Sequence, residues 1–189
     1  YYQHICYGYC VSDGSLFALK SELSYLWTVN IGMALENIRK WQWINRMNEK
    51  INRMWKYDML TQVLNRSGFF YCAETILQKI KEEKSNAFII FLDIDGLKSV
   101  NDNLGHEIGD AFIAKIAGIL KEVVPKDCLI MRYGGDEFVV FGSCKQAGRM
   151  QRIAEDIKAA IKTADQKENR SYHLAASLGC SLHKSYEMD

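Results

Sequence analysis

"CLIMRYGGDEFVVFGS", residues 128–143, decides how this chain folds. Apolar residues crowd both arms and two glycines and two acids fill the middle, so the pattern predicts a β-hairpin with Gly134, Gly135, Asp136 and Glu137 at its tip. The tip glycines are expected to take positive φ and to leave the turn free of blocking side chains, with Asp136 where the second strand begins. Adjacent carboxylates at such a tip either decorate a solvated turn or hold a cation against a phosphate. The surrounding sequence decides between the two.

Upstream, "NAFIIFLDID" (86–95) reads as a buried strand running into two acids. Asp93 and Asp95 stand at i and i+2 at the rigid strand exit, and their side chains are expected on opposite faces. If this strand lies beside the hairpin, Asp93 and Asp136 converge at one edge of the sheet. Hard oxygen ligands from two rigid elements are what Mg²⁺ on substrate phosphates requires. Gly96 adds a place where backbone N–H groups can approach phosphate. Each feature alone fits a cap or a turn; together they point to a nucleoside triphosphate. Between the two segments, "KSVNDNLGHEIGD" (98–110) supplies Lys98, Asn101, His106 and Asp110. A carboxylate such as Asp110 suits the N1–H and N2–H₂ of guanine, and the Asn101 amide suits O6 or N3, so a purine base is expected.

The remaining patterns place these segments in a fold. Amphipathic helices are expected at "RSGFFYCAETILQKIKEEKS", at "HEIGDAFIAKIAGILKEVV" with Ile108, Phe112, Ile116 and Ile119 on one face, and at "AGRMQRIAEDIKAAIKTAD". "YHLAASLGCSL" reads as a last strand. The order helix, strand, helix, strand, strand, helix, strand argues for an α+β architecture, one antiparallel-rich sheet with helices packed against a face.

Ahead of this domain, "HICYGYCV" closed by "SDG" reads as a strand and a tight turn. From about Ser21 to Lys56 there is no Pro and a single glycine, Gly32. Apolar residues recur at Ile31, Leu35, Ile38, Trp41, Ile44, Met47, Ile51 and Met54. That is one long helix with a continuous apolar stripe, and with Arg39, Lys40, Arg46, Lys50 and Arg53 elsewhere on it the pattern favours a two-stranded seam between chains. The steps of three from Leu35 to Met47 make the heptad irregular.

Composition narrows the class. The 189 residues carry 24 Lys+Arg against 23 Asp+Glu, a net charge of +1, so no global field draws the chain to nucleic acid or an anionic membrane. The longest apolar run, "AFIIFL", is far short of the roughly 18 residues of a membrane span. Six scattered cysteines without a C-x-x-C pair read as buried, reduced thiols of a cytoplasmic protein. A start at "YYQHIC" rather than Met reads as a piece of a longer protein, whose remainder could carry sensors or membrane spans.

From about Asp58 the chain resembles the GGDEF domain of diguanylate cyclases. The likeness lies in "DMLTQVLNR" (58–66), "FLDIDGLKSVNDNLGHEIGD" (91–110), "RYGGDEF" (132–138) and "ASLGCS" (176–181). It implies a palm-like, nucleotidyl-cyclase-like sheet on a ferredoxin-like core, and a division into a sensor remnant (1–20), a signalling and dimerisation helix (21–57) and the GGDEF domain (58–189). By this resemblance Asp93, the Ile94 carbonyl, Asp136 and Glu137 hold Mg²⁺ or Mn²⁺. Asn101 and Asp110 recognise guanine with His106 nearby, Gly96, Leu97, Gly134 and Gly135 line the nucleotide, and Asp136, Glu137 and Lys98 serve catalysis. The implied reaction condenses two GTP into cyclic di-GMP with release of two pyrophosphates. One GTP binds per domain, so two domains must face each other, as a homodimer joined through the long helix. An inhibitory Arg-x-x-Asp motif would fall on Pro125 and Cys128 and is expected to be absent. The family's C-terminal helix with its Ala-Lys…Gly-Arg-Asn motif is also expected to be missing, so weak GTP binding or inactivity is expected of this stretch by itself. The alternative is a GGDEF domain that binds GTP, dimerises or relays a signal without catalysis.

Overall fold

The computed structural model describes residues 20–167 and 172–184. The expected strand at "HICYGYCV", and nearly all of the expected 1–20 segment, lie outside the described residues. The chain divides into two units, 1–52 and 53–189, each taken by itself.

The second unit is built on one strand. In β1 (Asn86–Ile94) apolar residues fill almost every position, and such a strand needs cover on both faces. It occupies an inner place in a four-stranded antiparallel sheet of order β2-β3-β1-β4, with β2 Leu129–Arg132, β3 Glu137–Cys144 and β4 Ala176–His183. The hairpin at 128–143 forms as expected, with Arg132 opposite Phe138. Its second strand lies beside β1 in a register that sets Leu92 against Phe138 and Asp93 against Glu137.

One face of β1, with Phe88, Ile90, Leu92 and Ile94, packs under α4 (His106–Val123) and α5 (Arg149–Lys167), against Phe112, Ile116, Leu120 and Ile157. The other face is covered by α2 (Arg66–Glu82): Phe69, Ala73 and Ile80 meet Ala87, Met131, Val139 and Phe141. The helices therefore flank both faces of the sheet, where the sequence suggested one. The cover given by α2 stops short of Phe91, which stays 51% exposed, and of Asp93, the next residue on that face.

Sequence reading gave no separate helix between β1 and α4. The chain forms one there, α3 (Leu97–Leu104), because two glycines in left-handed conformations frame it: Gly96 with φ 76° before it and Gly105 with φ 90° between it and α4. Cysteine burial is mixed. Cys128 and Cys144 are buried, Cys72 is half-buried, and Cys180 on β4 is exposed, against the expectation of burial.

The long helix α1 spans Lys20–Lys56, one residue earlier than expected. Every residue of its apolar stripe from Ile31 to Met54 is exposed within the single chain, and Glu36 pairs with Lys40 at 2.9 Å.

Candidate functional site

Three elements end at the edge of the sheet where β1 runs out. Ile94 N–H donates to the Asp136 carbonyl at 3.0 Å, which makes residues 94 and 136 a hydrogen-bonded pair. The preceding pair, Asp93 and Glu137, is then the non-hydrogen-bonded kind, in which Cα atoms lie about 4.5 Å apart and side chains come closest. Both carboxylates are exposed, on the face that α2 leaves open. The register sets Asp93 directly opposite Glu137; Asp136, expected to converge with Asp93 at this edge, precedes the strand and is tied there through its backbone carbonyl. Among the described residues no three His, Cys, Asp or Glu side chains gather into a group that could hold a metal ion.

Asp95 also departs from expectation. It and Asp93 are both exposed, alternating with buried Leu92 and Ile94, because residues two apart share a face of the pleat. Asp95 turns the chain toward α3, accepting a bond from Ser177 Oγ at 2.9 Å while its N–H donates to the Ala175 carbonyl at 3.0 Å.

The start of α3 is open. Gly96 provides no side-chain cap, and a Cβ there would meet nothing within 4 Å. The first-turn N–H groups of α3 therefore have no side-chain cap, and uncapped N–H groups at a helix start favour an anion. Lys98 lies exposed in the same turn. Leu97, expected to line the nucleotide, is 7% exposed and part of the core, so only its backbone is available. Asn101 is half-buried, with its carboxamide lying on the Cα of Gly109 in α4. Asp110 follows Gly109 and His106 opens the helix, both exposed. The α3–α4 hairpin thus brings Asn101 and the Asp110 turn together.

The hairpin tip works differently from its prediction. Neither Gly134 nor Gly135 has positive φ. A loop of residues 133–136 joins the strands, and loops of four are commonly built on a type I turn that needs no left-handed residue. A Cβ on Gly134 would stand 2.5 Å from Glu137 Oε2, the end of an exposed side chain that has room to turn aside. Gly135 has open space around it.

Sequence reasoning assigned no role to the residue that holds this tip. Arg132, with 15% of its side chain exposed, donates from Nε to the carbonyls of Gly134 and Gly135, each at 3.2 Å, and from Nη2 to Gly135 at 2.7 Å. Its Nη1 reaches Asp58 Oδ1 at 3.1 Å and Oδ2 at 3.3 Å. Asp58 Oδ1 also accepts from Thr61 N–H at 2.9 Å and from Thr61 Oγ1 at 2.6 Å. Burial pushes the Asp58 carboxyl up, but the bonds from Thr61 and Arg132 outweigh it and hold the group below its ordinary value. Lys121 of α4 donates to the Thr61 carbonyl at 3.0 Å. The turn at 58–61 therefore ties the tip to the helical layer. The signal was in the sequence: Asp-x-x-Thr is a self-capping turn pattern, and an arginine sat two residues from the glycines.

The family model for the diguanylate cyclase GGDEF domain matches residues 55–189. A protein of Staphylococcus epidermidis named as an uncharacterized membrane protein is 31% identical over 146 residues, 77% of this chain and 39% of its own length. A like-named protein of Staphylococcus aureus is 30% identical over the same shares. The chain spans about two fifths of the length of the curated relatives it matches. Among solved structures, the coiled coil and GGDEF domain of DgcB from Caulobacter crescentus, in complex with c-di-GMP, superposes with a TM-score of 0.71. That match covers 82% of this chain and 84% of the other at 22% identity, a likeness of fold. The GGDEF domain of TpbB (YfiN) from Pseudomonas aeruginosa gives a TM-score of 0.60 at 28% identity, over 67% of this chain and 74% of the other.

Proposed function

Because the chain belongs to the diguanylate cyclase GGDEF-domain family, we propose that it condenses two GTP into cyclic di-GMP and two pyrophosphates, as one half of a pair of facing chains. The observation that carries the reading is the cross-strand pair Asp93–Glu137, set beside Asp136 at the end of the sheet and next to the open start of α3. Like charges directly opposite one another destabilise a sheet, and among the described residues no lysine or arginine is paired with them. A cation suits that arrangement.

The donors fit Mg²⁺ or Mn²⁺. Mg²⁺ keeps several waters and takes one or two carboxylates plus substrate phosphates, so the pair needs no third converging side chain. Asp93, Glu137, Asp136 and the Ile94 carbonyl would be the oxygens that hold the ion, Asp93 and Glu137 from their cross-strand pair and the other two by likeness to the family. When bound, the ion supplies charge neutralisation at the phosphates and eases ionisation of the attacking hydroxyl. The chain's own groups do the rest. Asn101 and Asp110 take the guanine edge with His106 beside them, while Lys98 and the α3 N–H groups hold phosphate oxygens. Asp136 accepts the proton as the 3′-oxygen of the facing GTP bonds to the α-phosphorus and pyrophosphate leaves.

Each chain offers one such half-site, so pairing is part of the reaction. The exposed stripe of α1 is the surface for it, since burying Ile38, Ile44, Ile51 and Met54 against a second copy removes them from water. The cytoplasmic side, where GTP is found, is the proposed location. No described helix is long and apolar enough to cross a membrane, and the membrane-protein names of the relatives fit a membrane-attached parent.

The test is incubation of the full-length protein with GTP and Mg²⁺, product by chromatography, and mass by light scattering. Cyclic di-GMP that disappears on Asp136→Ala, and a dimer that dissociates on Ile38→Glu with Ile44→Glu, support the reading. GTP binding without product favours the non-catalytic alternative. Failure to bind GTP removes both.

A further inference from the structure

We infer that Gly109 is a positioning residue that sets the preference for guanine by fixing the Asn101 carboxamide, an inference that rests on the GTP reading above. Asn101 Oδ1 occupies the space that a Cβ on Gly109 would fill, with Cγ 2.9 Å from that point and Nδ2 farther away at 3.5 Å. The carboxamide therefore lies with its oxygen against Gly109 of α4 and its amino group farther from that helix, which leaves the amino group as the donor for a ligand acceptor such as O6 or N3 of guanine.

The close approach is local. In the same helix, a Cβ on Gly118 would meet nothing within 4 Å. Backbone bonds lock it in place: Gly105 N–H donates to the Asn101 carbonyl at 3.0 Å, and Gly109 N–H donates to the Gly105 carbonyl at 3.2 Å. Asn101 cannot draw back from Gly109 without straining the one-residue connection between α3 and α4, where Gly105 already holds φ 90°. A methyl group at 109 must then be met by rotation of the Asn101 side chain, which swings the amino group away from the base. Asp110 is not among the atoms that a Cβ on Gly109 would meet, so it has no cause to move. Ala is also a better helix former than Gly, so intrinsic propensity favours the substitution and cannot account for a loss.

Four forms of the full chain test this: wild type, Gly109→Ala, Asn101→Ser and the double variant. Dissociation constants for GTP and for ATP are measured on each, with thermal melts beside them. ATP shares the triphosphate and serves as the internal control. Wild type is expected to prefer GTP. Gly109→Ala should lose about tenfold or more in GTP affinity while ATP stays within about twofold, a loss of base discrimination and not of phosphate binding. In the Asn101→Ser background the shorter side chain no longer reaches Gly109, so adding Gly109→Ala should cause no further loss. An unchanged GTP preference in Gly109→Ala overturns the inference, as do parallel losses for GTP and ATP or losses that multiply in the double variant. If Gly109→Ala does not fold, the double variant should recover the wild-type melt, and a failure to recover also overturns it. A wild type that binds GTP no better than ATP overturns the functional reading together with this one, whereas a selective wild type with an indifferent Gly109→Ala overturns this one alone.

Discussion

Arg132→Ala should loosen the hairpin tip that presents Asp136 and Glu137. The side chain makes three bonds to tip carbonyls and reaches both oxygens of Asp58, with its head largely shielded. Bonds to charged groups contribute about 1.5–3 kcal/mol when buried. Here the tip carbonyls can turn to water and Asp58 keeps both Thr61 donors, so the net cost is about 2–3 kcal/mol. For a unit of this size that corresponds to a melting point lower by roughly 6–12 °C, read by circular dichroism. Lysine restores the charge but not the fork, and should recover less than half of the loss. Acid provides the second arm. The Asp58 carboxyl sits below its usual 3.8, so its contribution is fully present above about pH 4 and is lost as pH falls through the lower folded value. The stability gap between wild type and Asp58→Asn should therefore be constant from pH 7 to about 4 and close below that. An Arg132→Ala melt within about 2 °C of wild type, or a gap as wide at pH 3 as at pH 7, refutes the account.

Two further outcomes follow from the same geometry. Gly134→Ala must displace the Glu137 carboxylate and should lower metal-dependent turnover, whereas Gly135→Ala meets no atom and should leave the melt unchanged; equal effects of the two would contradict this. Of the four described cysteines, iodoacetamide at pH 8 should label exposed Cys180 first, as mass spectrometry can follow, and should spare Cys128, whose thiol burial pushes up to about 11, until the chain unfolds. Early labelling of Cys128 would contradict the buried position.

What the sequence reveals about the fold depends on how locally each element is determined. The strand 86–94, the hairpin and the four long helices were legible because hydrophobic period and turn residues are properties of neighbours in the chain. The short helix α3 was not: Leu97 and Val100 give it an apolar face, but eight residues are a short window for a helical period, and Gly96 before it reads equally well as a phosphate-binding turn. Nor was the side on which α2 packs. An amphipathic helix announces that it has an apolar face but not which face of a sheet receives it, and only the run of apolar residues in β1 hinted that both faces needed cover.

Site residues divide along the same line. Asp93, Asn101, Asp110 and Asp136 could be named because their chemistry is visible in the letters, but which of them meet is a matter of register and tertiary packing. A shift of one residue in pairing decides whether Asp93 faces Asp136 or Glu137, and the sequence carries no mark of that shift. The glycines make the same point. Positive φ is the reason usually given for a glycine at a tip, and at Gly96 and Gly105 it holds. At Gly134 and Gly109 φ is not positive and a Cβ would meet a neighbour's side chain, the exposed end of Glu137 in one case and the half-buried Asn101 in the other. A glycine at the hairpin tip and one inside a helix therefore both lie against polar groups of the site, and substitutions at them should behave as changes of Glu137 and Asn101 in disguise.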